Sequence, residues 1–377
     1  MRTTVLLVEE PGGDFTFAEV ELDEPRDDEV LVRIVATGLC HTDLTVPTML
    51  PQEMLPTVVG HEGTGVVERV GAGVSGIEVG DHVVLSFRSC RSCGPCLEGH
   101  VGYCEQSLLL NYMGMRADGS TTMRRTGPDG EDRTVFGSFF GQSSLARHAL
   151  AYADNCVVVD KGLDLTRLAP FACGFQTGAG TVLNVLDPAP GDSLVVFGAG
   201  AVGLAAVAAA RGAGVETVVA VDPAPARRAA AEDYGATAID PTADAAGPVE
   251  EQVRALTAGG ASYAIDTTAI PAVVLQAQRA LRPRGTLVAL GLGAPEYTID
   301  AIDLLQSGKV VRSSIEGEAD PLVTIPELIA LREAGRFDVD HLVTTYPFEK
   351  VADAVADSRS GAVVKPVLVW PDEGWGE

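Results

Sequence analysis

The stretch Asp192-Ser193-Leu194-Val195-Val196-Phe197 reads as a short buried strand, and Gly198-Ala199-Gly200-Ala201-Val202-Gly203 follows it at once. Leu204 to Arg211 then has helical texture. A second apolar strand, Thr217 to Val221, ends in Asp222, nineteen residues after Gly203. A G-x-G-x-x-G run in this strand–turn–helix setting, with an acid behind it, confines the segment to a dinucleotide-binding unit. Gly198 makes the tight turn, Gly200 lets a pyrophosphate approach the backbone, and Gly203 allows close helix–strand packing. The phosphates would rest on the helix N-terminus, where free N–H groups and the dipole favour negative charge. Asp222 would accept from the ribose hydroxyls and repel a 2′-phosphate, which predicts NAD rather than NADP. Arg227 and Arg228 follow a turn later. They read either as solvated helix residues or as support for the ribose edge.

The alternation continues. Glu251 to Thr257 and Pro271 to Leu281 read as helices, Ala261 to Asp266 and Gly285 to Leu290 as strands. Such repetition predicts an α/β unit, a doubly wound parallel sheet with helices on both faces. At 377 residues the chain exceeds one comfortable core, so a second domain is expected. Thr3 to Val8, Phe15 to Leu22 and Val30 to Val35 read as short strands between Pro/Gly breaks, the mark of a β-rich, barrel-like unit. The texture changes near Ala169 to Gly180 and again after about residue 312. The expected division is residues 1–173 and 313–377 in the β-rich domain, and 174–312 in the dinucleotide-binding domain.

The β-rich part carries the chemistry. Cys90, Cys93, Cys96 and Cys104 lie on one Gly/Pro loop. Four thiolates fill a tetrahedral Zn²⁺ shell and leave no place for water or substrate, so a structural zinc is expected. A disulfide pair or an iron–sulfur cluster is the alternative. Cys40-His41-Thr42-Asp43 follows a strand at what reads as a turn, and Gly60-His61-Glu62-Gly63 opens another strand. Alone, each reads equally as ordinary structure: a buried cysteine beside turn residues, and a Gly-rich turn with an incidental His-Glu pair. Phe136 to Gln142 concentrates aromatics beside glycines, as core or as the wall of a pocket. Arg116 to Arg133 is polar, Gly-rich and charged and reads as a surface loop or lobe.

A net charge of −25 argues against nucleic acid and anionic membranes as partners. No apolar run is long enough to span a bilayer, and the N-terminal stretch lacks the form of a signal peptide. The seven cysteines are odd in number, and four are clustered. In the reducing cytoplasm expected for this chain, that pattern favours metal over disulfides.

Taken together, Gly38-x-Cys40-His41-Thr42-Asp43, Gly60-His61-Glu62, the four-cysteine loop, Cys173-Gly174 and the Gly198–Gly203 run resemble the zinc-dependent medium-chain alcohol dehydrogenases, in the family's order and over essentially the whole chain. Phe139 to Ser144, Gln176 to Gly180 and Glu316-Gly317-Glu318 look most like the aryl (benzyl) alcohol dehydrogenases. The resemblance implies a GroES-like catalytic domain joined to a Rossmann domain. It implies a second, catalytic zinc on Cys40, His61 and Cys173, hence two zinc ions per chain, with NAD as cofactor. By family pattern Thr42 relays a proton, with His41 in that relay or by the pyrophosphate. Asp43 orients His61, and Glu62 assists ligand exchange. Thr177 and Val202 contact the nicotinamide, Lys365 a cofactor phosphate, and Phe87 and Phe140 wall the pocket. The implied reaction is reversible oxidation of aromatic or bulky apolar primary alcohols to aldehydes by a homodimer or homotetramer. A hydroxymethyl-thiol dehydrogenase on the same scaffold is the runner-up. A non-catalytic dinucleotide-binding relative is more distant, because Cys40, Thr42, His61 and Cys173 are all present.

Overall fold

The structure is a computed structural model that describes residues 1–127, 130–243 and 247–371. The expected C-terminal domain boundary, in residues 372–377, lies outside the described residues.

The parallel sheet has six strands, in the spatial order Thr237–Ile239, Thr217–Val221, Ser193–Phe197, Ala261–Asp266, Leu281–Ala289 and Val310–Ser313. Every residue of Ser193–Phe197 is buried, as befits a central parallel strand covered on both faces. The strand order reverses on either side of Ser193–Phe197, and open α/β sheets bind their ligands at such a point. The helix Ala201–Gly212 is built largely of Ala and Val, and eight of its residues are buried. Its small side chains let it lie close to its neighbour. A Cβ on Gly178, in the helix Gly174–Gly180, would collide with Val202 O.

The β-rich part centres on the strand Glu29–Gly38, which pairs antiparallel with Gly63–Val70, His148–Tyr152 and Lys365–Val369. The chain therefore returns after the parallel sheet to the β-rich part, where Val367 pairs with Gly38. That register brings Lys365 beside Leu39 and Glu62.

Two sequence readings are corrected here. Cys40 to Asp43 is the start of a helix, His41–Met49, with Cys40 as its N-cap; Asp43, in the first turn, caps the Cys40 amide. Arg116 to Arg133 is not simply a surface loop. It contains Met123–Thr126 and the start of Asp132–Val135, which pair as a hairpin. The Arg116 side chain is buried because Glu29 takes both its Nε and Nη2, at 2.6 and 3.0 Å. No described helix is long and apolar enough to cross a membrane.

Candidate active site and metal centres

Asp43 assembles the first part of the site. Its Oδ2 accepts from the Cys40 amide at 3.0 Å, and its Oδ1 accepts from the Gly60 amide at 3.0 Å. The same Oδ1 lies 2.7 Å from His61 Nδ1. A fully buried carboxylate thus locks the helix start and the turn before His61 together, and turns the other ring nitrogen, Nε2, inward.

Glu62 joins the third ligand segment. Its Oε1 accepts from the Gly174 amide at 3.0 Å, next to Cys173, and its Oε2 meets Lys365 Nζ at 2.5 Å. Gly38 is required opposite, since a Cβ there would collide with Glu62 Oε2. Burial pushes the Glu62 carboxyl up to about 7 against the pull of Lys365, whose own ammonium is held well above its ordinary value by Glu62 despite burial. Lys365, expected on a cofactor phosphate, has its ammonium committed to Glu62 and to Leu39 O at 3.3 Å.

These contacts bring ligand atoms of Cys40, His61, Glu62 and Cys173 within 4.8 Å of one another. His61 Nε2 is buried and has no hydrogen-bond partner. The two thiols cannot ionise independently. The Cys173 thiol holds Cys40 well below the usual range, and Cys40 pushes Cys173 well above it. An orphaned imidazole nitrogen between two competing thiols is a donor set that a divalent cation would satisfy. The second cluster, Cys90, Cys93, Cys96 and Cys104, meets the same 4.8 Å limit. Backbone amides of Cys90, Cys93, Glu105 and Gln106 donate to the sulfurs of Cys104, Cys90 and Cys93 at 3.2–3.5 Å, which favours thiolates there against the burial that pushes Cys96 and Cys104 up.

An aromatic wall stands over the first cluster. The Phe140 ring lies 4.6 Å from the His61 ring, the Phe139 ring 5.8 Å, and Tyr112 packs on Phe140 at 5.1 Å. Phe87 is buried among the core side chains of the same unit. Thr42 Oγ1 is 3.7 Å from Cys40 Sγ, while His41 is exposed.

At the end of Ser193–Phe197, Gly198 has φ 90°. A Cβ on Gly203 would collide with Gly198 O, whereas one on Gly200 would meet nothing within 4 Å. The turn is thus tight underneath and open above Gly200, the cradle an anion needs at the N-terminus of Ala201–Gly212. Asp222 is buried, and it accepts from the Ala199 and Ala224 amides at 2.8 Å each. Arg227 approaches it at 3.9 Å, and Arg228 donates to the backbone oxygens of Asp222 and Pro223.

Against known sequences, residues 26–161 match the alcohol dehydrogenase GroES-like domain and residues 201–334 the zinc-binding dehydrogenase domain. A geraniol dehydrogenase of Castellaniella defragrans is 43% identical over 95% of both chains. The chain belongs to the zinc-dependent medium-chain alcohol dehydrogenases. Among solved structures, an alcohol dehydrogenase zinc-binding domain protein from Burkholderia ambifaria is 44% identical, with a TM-score of 0.91 over 98% of this chain and 99% of its own. The benzyl alcohol dehydrogenase of Acinetobacter calcoaceticus is 35% identical, also at 0.91, over 98% and 100%. The GroES-like and Rossmann halves expected from the sequence are those of this family.

Glu316, Gln176 and Tyr112 were not expected as site residues. Glu316 is buried, and its Oε2 accepts from Gln176 Nε2 and Thr177 Oγ1. The Glu-Gly-Glu run had served only as a family marker, and no local pattern in the sequence brings residue 316 to residue 177.

Proposed function

We propose that this alcohol dehydrogenase oxidises aromatic or other bulky apolar primary alcohols to aldehydes, reversibly, with NAD as partner. The observation that carries the reading is His61 Nε2, buried and unpartnered between Cys40 and Cys173 and faced by Phe140. Zinc held by Cys40, His61 and Cys173 would supply Lewis acidity toward the alcohol oxygen, and NAD the hydride acceptor. A second zinc would sit on Cys90, Cys93, Cys96 and Cys104.

The chain's own groups do the rest. Thr42, beside Cys40, takes the proton from the alcohol oxygen and passes it outward to the exposed His41. Asp43 holds the His61 ring in one tautomer and one orientation. Glu62, held by Lys365, stands at the cluster's edge to assist exchange of alcohol and water. Thr177 and Val202 hold the nicotinamide ring. Gly198, Gly200 and Gly203 receive the pyrophosphate, Asp222 the ribose hydroxyls, and Arg227 the ribose edge. Phe140 and Phe87 exclude water from the reacting carbon.

Geraniol and benzyl alcohol, named for two relatives, are both primary alcohols carrying a bulky apolar group. An anionic thiol adduct is disfavoured because Arg116, Arg124 and Arg125 are spent on Glu29, Asp23 and Glu9. The division at residues 173 and 313 and a cytoplasmic location belong to the same proposal. So does a homodimer or homotetramer, supported by the open sheet edge at Val310–Ser313 and the exposed Ile302, Leu305 and Val310 beside it.

A substrate panel read by NADH absorbance tests the reading. Benzyl alcohol and geraniol should exceed ethanol in kcat/KM by at least about tenfold, since even one methylene of apolar contact supplies about that much. Preference for ethanol, or for a hydroxymethyl-thiol, would overturn it.

A further inference from the structure

Glu316 occupies a place that the proposed chemistry does not yet use. It lies in a turn where Glu316, Gly317 and Glu318 have φ of 51°, 68° and 50°. Non-glycine residues rarely hold this left-handed conformation, and they persist there only where the surroundings over-determine them. Two bodies do so here. From the four-cysteine lobe, the Tyr103 hydroxyl shares its one proton between Glu318 Oε1 at 3.1 Å and Ser313 O at 3.3 Å. Arg91 grips both oxygens of Asp320 at 2.5 and 2.9 Å. From the other side, the turn is pressed onto Gly174–Gly180. A Cβ on Gly317 would lie 2.6 Å from Gln176 O, and one on Gly180 would lie 2.8 Å from Gly317 O. Asn184 Nδ2 donates to Gly317 O at 3.2 Å.

The clamped turn delivers one carboxylate oxygen to two donors. Glu316 Oε2 accepts from Thr177 Oγ1 at 3.2 Å and from Gln176 Nε2 at 3.2 Å. Gln176 has other acceptors, Ser86 Oγ at 2.9 Å and Ala172 O at 2.8 Å. The Thr177 hydroxyl turns to Glu316 rather than to the helix carbonyl one turn back, Cys173 O, which takes the Thr177 amide at 2.8 Å. Threonine on a helix divides between two χ1 rotamers according to where its hydroxyl finds an acceptor. A carboxylate fixed in the protein interior selects one, and with it the direction of the methyl group.

We infer that Glu316 is a positioning residue for the cofactor: it locks the Thr177 side chain, and the four-cysteine lobe acts on the cleft by holding Glu316 in place. The inference rests on the reading that Thr177 faces the nicotinamide. It gives the structural-metal lobe a task beyond cohesion, since the contacts of Tyr103 and Arg91 end on the strand and turn that carry Glu316.

The test is NADH binding to the zinc-loaded protein, followed by nicotinamide fluorescence, together with KM for NAD and kcat measured separately. Glu316→Leu keeps bulk and removes the acceptor. It should weaken NADH about tenfold, the scale of one buried hydrogen bond to a charged acceptor, compared at full zinc loading because Glu316 also lies against Cys173. Glu316→Gln keeps an acceptor oxygen and should restore affinity to within about threefold. Should Glu316→Leu fail to fold, Glu316→Asp serves, because its shorter reach should weaken NADH with zinc retained. Thr177→Val separates the two levels of the argument. If Thr177→Val weakens NADH while Glu316→Leu or Glu316→Asp binds it as the parent does, the positioning role is overturned. If Thr177→Val itself binds NADH normally, the reading of Thr177 falls and the inference with it.

Discussion

Asp43 Oδ1 lies 2.7 Å from His61 Nδ1, with both side chains wholly buried and eighteen residues apart in sequence. The same carboxylate holds the Cys40 and Gly60 amides, so one residue aligns two of the three proposed ligands of the catalytic zinc. In Asp43→Asn one acceptor oxygen becomes a donor that opposes the Cys40 or Gly60 amide. Loss of such an orienting partner costs about 10–100-fold in metal affinity. Chelator competition should show the catalytic zinc released first, with turnover falling in step. Parent-like retention of that zinc would remove Asp43 from this role.

Metal content distinguishes the two clusters. The parent chain should carry two zinc ions, one on each four-residue group. Cys173→Ala should lose one, abolish turnover and keep NADH binding. Cys96→Ala should lose the other and lower the melting temperature, because a closed thiolate site contributes folding energy directly. One zinc per parent chain would contradict the assignment.

The Lys365–Glu62 pair is almost fully buried, with side chains 2% and 0% exposed. Breaking such a pair from one side leaves an uncompensated charge and costs about 3–5 kcal/mol. Lys365→Met should show this in chemical denaturation, at the low end of that range, because burial already raises the Glu62 pKa and proton uptake relieves part of the cost. Adding Glu62→Gln should recover much of the loss. Additive losses in the double variant would mean that the two residues do not act as a pair.

Asp222→Gly should raise the ratio of kcat/KM for NADP to that for NAD by about tenfold or more, equivalent to about 1.4 kcal/mol of removed repulsion. Because Asp222 also accepts the Ala199 and Ala224 amides, a parallel loss with both cofactors is expected. An unchanged ratio would place recognition of the 2′-position elsewhere.

Legibility followed the range of the interactions. The turn at Gly198–Gly203 was readable because its demands are local: a positive φ at Gly198 and no room beside Gly203. The gathering of the four loop cysteines was readable because they fall within fifteen residues. The role of Asp43 was visible only through family resemblance. Its helix was misread as a turn because Thr42, Thr45, Pro47 and Thr48 are poor helix formers, and the cap that starts the helix is a side chain from within it. The burial of Arg116 was not legible because its partner, Glu29, lies 87 residues away.

The sequence by itself determined the chemistry on hand: a glycine-rich turn at Gly198–Gly203, four cysteines on one loop, and the cysteines, histidine and threonine of the proposed site. Tertiary structure decided which of these meet. Val367 pairs with Gly38, and that register carries Lys365 across 326 residues to Leu39, and with it to Glu62. The clamp on residues 313–320 likewise brings Glu316 across 139 residues to Thr177. The reason is physical. Turns and ligand loops are fixed by steric and bonding rules among neighbours in the chain, whereas a buried polar contact between distant segments depends on strand register and on the packing of whole elements, which no single stretch encodes.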